Sequence, residues 1–238
     1  MINEDILIKV FNRLNDKIIN EDFVIDKTGT KTVELICEKI ELDPYQPILD
    51  FNGIRKTPAK YVEKELEWYI SQDLSIINHV DDVKIWNEVC TKDEKKEVNS
   101  NYGWMIFSKE NHSQFDFALN ELIKNKYSRR ACMIYNRPSM TKDYNRNGMS
   151  DYCCTFSTQQ LIRNDELIYV VIMRSNDIWS GFFSDFPFHC YVYDLLYKKL
   201  SDFYDLKGGK ITWIANSLHA YERNFEMIKN ICDSYKTF

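Results

Sequence analysis

Residues 154–177 read CTFSTQQLIRNDELIYVVIMRSND, from Cys154 to Asp177. Residues 154–162 and 167–176 flank the segment Arg163-Asn164-Asp165, and the pattern predicts two paired strands joined by a tight turn. The second run ends in a polar cluster of Arg174, Ser175, Asn176 and Asp177 placed directly after apolar residues. At the other end, Cys153 and Cys154 stand side by side, and adjacent side chains of an extended backbone point to opposite faces. One sulfur therefore faces a cleft or the core while the other faces away. Free cysteines are often inert and buried, so the pair alone does not tell whether either is a nucleophile.

Outward from this hairpin, residues 186–204 predict a helix with a broad apolar face and residues 210–221 a further strand. Towards the N-terminus, residues 5–19 carry apolar groups at three- and four-residue spacing and predict an amphipathic helix. Residues 22–42 read as strand, turn at Thr28-Gly29-Thr30 and strand. Residues 58–72 read as a helix, with Thr57 as N-cap and Pro58 at its first position. The charged stretch 90–101 predicts a solvated loop, residues 111–125 a helix and residues 131–136 a buried strand. Strands and helices intermix without a strict βαβ alternation, and no GxGxxG, P-loop or internal repeat is present. The expected fold is a single α+β domain over residues 1–238, built on one large mixed sheet.

With 44% hydrophobic and 28% charged residues, the composition is that of an ordinary globular protein. Seven cysteines lie at irregular spacing with no CxxC pair, so neither a zinc ribbon nor a redox dithiol is indicated, and no metal is expected. No apolar run has membrane-spanning length, and the N-terminus lacks the basic region of a secretory signal. The expectation is a reducing cytoplasm without membrane association. A formal charge of −5 disfavours binding to a nucleic-acid polymer but allows a small phosphorylated substrate held by a few arginines.

Polar islands interrupt the apolar pattern. Arg129 and Arg130 precede a strand; Arg174 to Asp177 follow one; His219 and Tyr221 share a face at a strand end; Glu65 and Glu67 sit in a helix beside Trp68. Each has an ordinary structural explanation, such as surface ion pairs or a structural histidine. The two glutamates cannot both face inward.

Taken together and in order, these motifs resemble the thymidylate synthase family over nearly the whole chain. In that family a catalytic cysteine lies five residues before a glutamine and twenty before the arginine of an R-S-x-D motif. Cys154, with Gln159 and Arg174, has both spacings, and Cys153 has neither. DKTGTKT resembles the family's phosphate loop, with Lys27 where arginine is usual. KELEWY is similar to its glutamate-bearing helix and singles out Glu65; KIWNE places Trp86 in the folate site, NSNYGW brings Tyr102, and SRR brings Arg129 and Arg130. The match is closer to the branch that hydroxymethylates deoxycytidylate. There Thr155 replaces the usual histidine after the cysteine, and Asp185 the usual base-reading asparagine.

The resemblance implies a thymidylate synthase-like fold whose sheet is flanked by helices and mediates dimerisation. It also implies a homodimer with shared sites, in which the partner lends Arg129 and Arg130 to the nucleotide phosphate. The implied reaction takes dCMP, water and 5,10-methylenetetrahydrofolate as co-substrate, with Cys154 adding to carbon 6 of the base. Arg174 is expected to raise the thiolate fraction of Cys154. Tyr102 would assist loss of the carbon 5 proton, and Glu65 would order water and move protons. The implied substrate ligands are Lys27, Arg129, Arg130, Gln159, Arg174, Ser175, His219 and Tyr221, with Asp185, ionised, reading cytosine. The implied folate ligands are Trp86, Asp177 and Gly181. A dUMP or CMP hydroxymethylase, a thymidylate synthase, or a non-catalytic binding protein on the same fold are the alternatives.

Overall fold

In the computed structural model, which describes residues 2–236, the elements follow one another as α1 (Asn3–Ile19), β1 (Val24–Ile25), β2 (Lys31–Leu42), β3 (Asp50–Phe51), β4 (Arg55–Lys56) and α2 (Ala59–Ser71). Then come α3 (Lys84–Val89), α4 (Tyr102–Phe107), α5 (Gln114–Lys124), β5 (Cys132–Ile134), α6 (Met140–Asp143), β6 (Thr155–Arg163) and β7 (Glu166–Met173). The chain closes with β8 (Asn176–Asp177), α7 (Phe182–Ser201), β9 (Gly209–Tyr221) and α8 (Phe225–Tyr235). The main sheet has seven strands in the order β1-β2-β9-β7-β6-β5, with β8 also against β9. β7 and β8 run parallel to β9, and the other pairs of this sheet are antiparallel. A mixed α+β architecture is thus what the residues form.

The hairpin is as read. Arg163 pairs with Glu166, and Asn164 and Asp165 turn the chain with φ of 52° and 64°. Both central residues are left-handed, which suits the right-handed twist of the strands and explains why Asn-Asp occupies the turn. Along β7, Leu167, Tyr169, Val171 and Met173 are buried while Ile168, Val170 and Ile172 are half-buried on the opposite face. The buried face packs on α7, whose Phe182 and Phe186 rings stack on each other and meet Trp213 of β9 edge-on at 5.3 and 6.2 Å. Full burial of each such side chain contributes roughly 1.5–3 kcal/mol.

β2 and β9 share an irregularity. Core-facing residues are Val33, Leu35, then Glu38, Ile40 and Leu42 on β2, against Ile211, Trp213, Ala215, then Leu218 and Ala220 on β9. Both strands step out of alternation at the opposed residues Cys37 and Asn216, where Cys37 has φ of 53°. A one-residue step moves every following side chain to the other face. Past it, His219 and Tyr221 lie together on the half-exposed side, their rings 5.2 Å apart.

Four expectations need correction. Thr57 does not cap α2: its hydroxyl accepts from the Leu49 amide at 2.9 Å, and Pro58 occupies the N-cap position. The loop 90–101 is solvated only in its middle, because Val98, Asn99, Ser100 and Asn101 are buried. The first strand of 22–42 shrinks to the two residues of β1. Residues 131–136 form a three-residue edge strand with Ile134 42% exposed, not a buried one. At this edge the Gln114 side chain donates to the Ile134 carbonyl at 2.9 Å and accepts from the Ile134 amide at 2.7 Å. Among the described residues no helix is long and apolar enough to cross a membrane.

Candidate active site

Cys153 and Cys154 are divided as opposite-facing neighbours must be. Cys153 is fully buried, its thiol 3.1 Å from the Thr155 carbonyl and 3.9 Å from Met105 sulfur. Cys154 is only partly covered, and an Arg174 amine lies 3.7 Å from its sulfur. That guanidinium is fixed by donation to the carbonyls of Cys153 (2.8 Å) and Tyr152 (2.7 Å) and stacks over the Tyr152 ring. The segment carrying the cysteines is anchored by Asp151, which accepts from the Asn99 and Ser100 amides and the Ser100 hydroxyl, each at 2.7 Å. This is why the end of the charged loop is buried.

Arg174 acts on the thiol in the expected direction, but burial outweighs it. Burial pushes Cys154 up to about 11; Arg174 pulls it down, and Asp185, Asp151 and Asp177 oppose that pull. Withdrawal from water costs the thiolate more than one arginine returns, since two of that arginine's donors are already committed to backbone carbonyls.

Glu65 is the inward-facing glutamate of α2, 3% exposed, whereas Glu67 is exposed. Burial raises its carboxyl to about 7, opposed by hydrogen bonds from Tyr61, Trp86, Ser184 and Tyr69. The Tyr61 hydroxyl donates to Glu65 and accepts from the Trp86 indole at 3.0 Å. Tyr61 and Tyr69, and the contact of Ser184 with Glu65, went unforeseen. Tyr61 precedes Glu65 by one helical turn, and that spacing was the available signal.

α4 is brought against α2 by Asn101. Its side chain caps α4 by accepting from the Trp104 amide at 2.7 Å and donates to the carbonyls of Trp68 (3.0 Å) and Asp73 (2.8 Å). The helices are so close that any side chain at Gly103 would overlap the Tyr69 carbonyl. Tyr102 then stacks on Tyr69 at 5.2 Å, and its hydroxyl accepts from the Thr155 amide at 3.3 Å.

Asp185, in the first turn of α7, is half-buried at its surface and crowded by other groups. Burial lifts its carboxyl well above the ordinary range, the charges of Glu65 and Asp177 add to this, and the Tyr102 hydroxyl opposes it as a hydrogen-bond donor. The sequence reading expects an ionised aspartate; burial works against that charge and favours the protonated carboxyl. The buried amide of Asn176 lies 3.3 Å from Asp185 Oδ2. Thr155, where the family usually has histidine, has its hydroxyl 3.5 Å from Nε2 of the fully buried His189, which burial pushes down to about 3 and so keeps neutral.

Asp177 accepts from the Trp179 amide at 2.8 Å and the Ser180 amide at 3.3 Å, and lies 3.6 Å from Arg223. Gly181 directly precedes α7, Ser175 is half-buried beside Arg174, and Trp86 is half-buried on α3. His219 pairs with Asp177 across β8 and β9, and Tyr221 feels the charges of both Asp177 and Asp26. Lys27 is exposed in the turn that Asp26 organises by accepting from the Thr28 and Thr30 amides. Arg129 and Arg130 are exposed, and Gln159 donates to the Arg129 carbonyl at 2.9 Å. One cluster thus holds Cys154, Arg174, Glu65, Tyr102, Asp177 and Asp185. Arg129, Arg130 and Gln159 form a separate group near the sheet edge.

Two concavities lie outside this cluster. One, of about 750 Å³, is lined by residues including Lys9, Arg13, Glu38, Tyr45 and Lys210; the other, of about 470 Å³, by residues including Phe117, Ile134 and Arg137. Neither contains a member of the cluster.

Comparison with known proteins identifies the family. A sequence profile described as thymidylate synthase matches residues 9–236. The deoxycytidylate 5-hydroxymethyltransferases of Enterobacteria phages T4 and T2 are each 43% identical over 212 residues, covering 87% of this chain and 83% of theirs. The thymidylate synthase of Clostridium beijerinckii is 26% identical over 226 residues, covering 90% of this chain and 77% of its own. The profile spans every strand of the sheet and every member of the cluster, and the chain belongs to the thymidylate synthase family.

Proposed function

We propose that the protein is a deoxycytidylate 5-hydroxymethyltransferase, acting as one domain in the cytoplasm of a cell. The observation that carries this reading is the carboxyl of Asp185, crowded by Glu65, Asp177 and Tyr102 and acting on Cys154 through its charge, where an asparagine would suit uracil. Identity of 43% to relatives of that activity supports it. Neutral cytosine offers an acceptor at ring nitrogen 3 and a donor at its amino group. A protonated carboxyl offers the complementary donor and acceptor.

5,10-methylenetetrahydrofolate, as co-substrate, supplies the one-carbon unit when bound. The half-buried Trp86 indole, the Asp177 carboxylate and Gly181 suit an aromatic, hydrogen-bonding ring system of that kind. Cys154 sulfur bonds to carbon 6 of the base, which makes carbon 5 nucleophilic; Arg174 favours the thiolate as it forms. Tyr102 assists removal of the carbon 5 proton. Glu65, raised to about 7, is suited to ordering the water that becomes the hydroxyl and to moving protons near neutral pH. The sulfur then leaves carbon 6 and the pyrimidine double bond is restored. Arg174, Ser175 and Lys27 take the phosphate with Arg129 and Arg130 of a second copy, and His219 and Tyr221 take the sugar. Gln159 supports the edge from which Arg129 and Arg130 project.

The outer face of the sheet supports the reading of a homodimer. Leu161, Ile168, Val170, Ile172 and Ile214 form a half-buried apolar face, bordered by Phe156 (47% exposed) and Ile36 (64% exposed). A second copy of that face covers it. Incubation with dCMP, dUMP or CMP and the folate, with products identified by mass, tests the function. The expected products are 5-hydroxymethyl-dCMP and tetrahydrofolate, with none from Cys154→Ser; a methylated base with dihydrofolate would identify a synthase instead.

A further inference from the structure

Asn176 opens β8 immediately after the Arg174-Ser175 pair and is 2% exposed. Its Nδ2 is 3.3 Å from Asp185 Oδ2, and among the described residues its side chain makes no other hydrogen bond. Its Oδ1 is buried without any partner. A buried carbonyl oxygen left unpaired is unfavourable, and an apolar side chain of similar size would avoid that cost. The contact with Asp185 is what distinguishes an amide from such a side chain here. The pair faces Gly181: a Cβ there would lie 3.4 Å from Asp185 Oδ2 and 3.6 Å from Asn176 Nδ2.

The protonated form of Asp185, which burial favours, has two unlike oxygens, one donating and one accepting. Cytosine presents acceptor then donor along its reading edge; uracil presents donor then acceptor. The same carboxyl can match either base, depending on which oxygen carries the proton. An amide N–H aimed at Oδ2 favours Oδ2 as the acceptor and leaves the proton on Oδ1.

We propose that Asn176 is a positioning residue for base choice, holding Asp185 with Oδ2 as acceptor and Oδ1 as donor so that the carboxyl matches one pyrimidine edge and mismatches the other. The proposal rests on the reading of Asp185 as the group that meets the base. Asn176 touches neither substrate nor folate in this account. It acts through Asp185.

The test measures Kd and kcat/KM for dCMP and dUMP on the full-length protein and on Asn176→Leu, Asn176→Ser, Asp185→Asn and Asn176→Leu/Asp185→Asn. Asn176→Leu should lower the dCMP-to-dUMP preference about tenfold or more, by weakening dCMP and strengthening dUMP relative to it. Asn176→Ser, which is too short to reach Oδ2, should do the same, and gives the answer if the leucine variant fails to fold. The double variant should show the preference of Asp185→Asn alone. Equal losses for both nucleotides in the Asn176 variants, with preference unchanged, would overturn the proposal and leave a merely structural role. An unchanged preference in Asp185→Asn would instead overturn the reading on which the proposal rests.

Discussion

Replacing Glu65 by glutamine should make the protein more stable at alkaline pH while removing its activity. Glu65 is 3% exposed and its carboxyl is raised from the usual 4.5 to about 7, so the folded state holds a proton that the unfolded chain releases earlier. Below about pH 4.5 both states carry the proton and Glu65 costs nothing on this account. As pH rises towards 7 the unfolded chain ionises freely while the folded one resists, and stability falls through that window. The rise from 4.5 to about 7 corresponds to roughly 3 kcal/mol lost by pH 8. Glutamine is neutral at every pH and escapes the loss. Urea unfolding of both proteins at about pH 4.5 and about pH 8, at one fixed concentration, isolates the effect as a difference of differences. The variant should gain up to about 3 kcal/mol relative to wild type between the two, with kcat lowered about 10²- to 10⁴-fold. A stability difference that does not change with pH would refute the inference that an ionisable carboxyl is stored in this network at energetic cost.

Alkylation of Cys154 by iodoacetamide, followed by mass spectrometry, should accelerate about tenfold per pH unit through pH 9 without levelling, because the thiol titrates near 11; a plateau near pH 8.5 would show that burial does not outweigh Arg174. Mixing inactive Arg130→Ala with inactive Cys154→Ser should restore part of the activity through hybrid dimers, and no recovery despite measured subunit exchange would count against shared sites. Gly103→Ala should cost at least about 2 kcal/mol in thermal unfolding, since the methyl would overlap the Tyr69 carbonyl; an unchanged Tm would mean that α2 and α4 part easily.

The elements were legible wherever side-chain period and turn chemistry agreed, as in the 154–177 hairpin, α1 and α7. They were least legible where a buried partner decides the outcome. Polar residues 99–101 read as solvent-facing, yet Asp151, fifty residues on, takes the Asn99 and Ser100 amides into the interior. Thr57 has the chemistry of a cap, but the Leu49 amide claims its hydroxyl. The site divides in the same way. Spacing and family resemblance singled out Cys154, Arg174, Glu65 and Asp185, and the geometry brings them together. The weight of burial on Cys154 and Asp185 was not legible, because it depends on how much water the fold removes and on charges from distant parts of the chain. Asn176 lay inside the quoted stretch, but only its contact with Asp185 gives it a role.

The clamp of Gln114 on Ile134 bears on how the protein keeps apart from copies of itself that it should not join. β5 ends the main sheet with a partly exposed apolar residue, and an open strand edge is a template on which another strand can grow. Gln114 presents one donor and one acceptor with the spacing of a peptide group, so Ile134 already has the partners an incoming strand would provide. The sheet is terminated by a single side chain, and its growth into a fibril-like stack is blocked on that side.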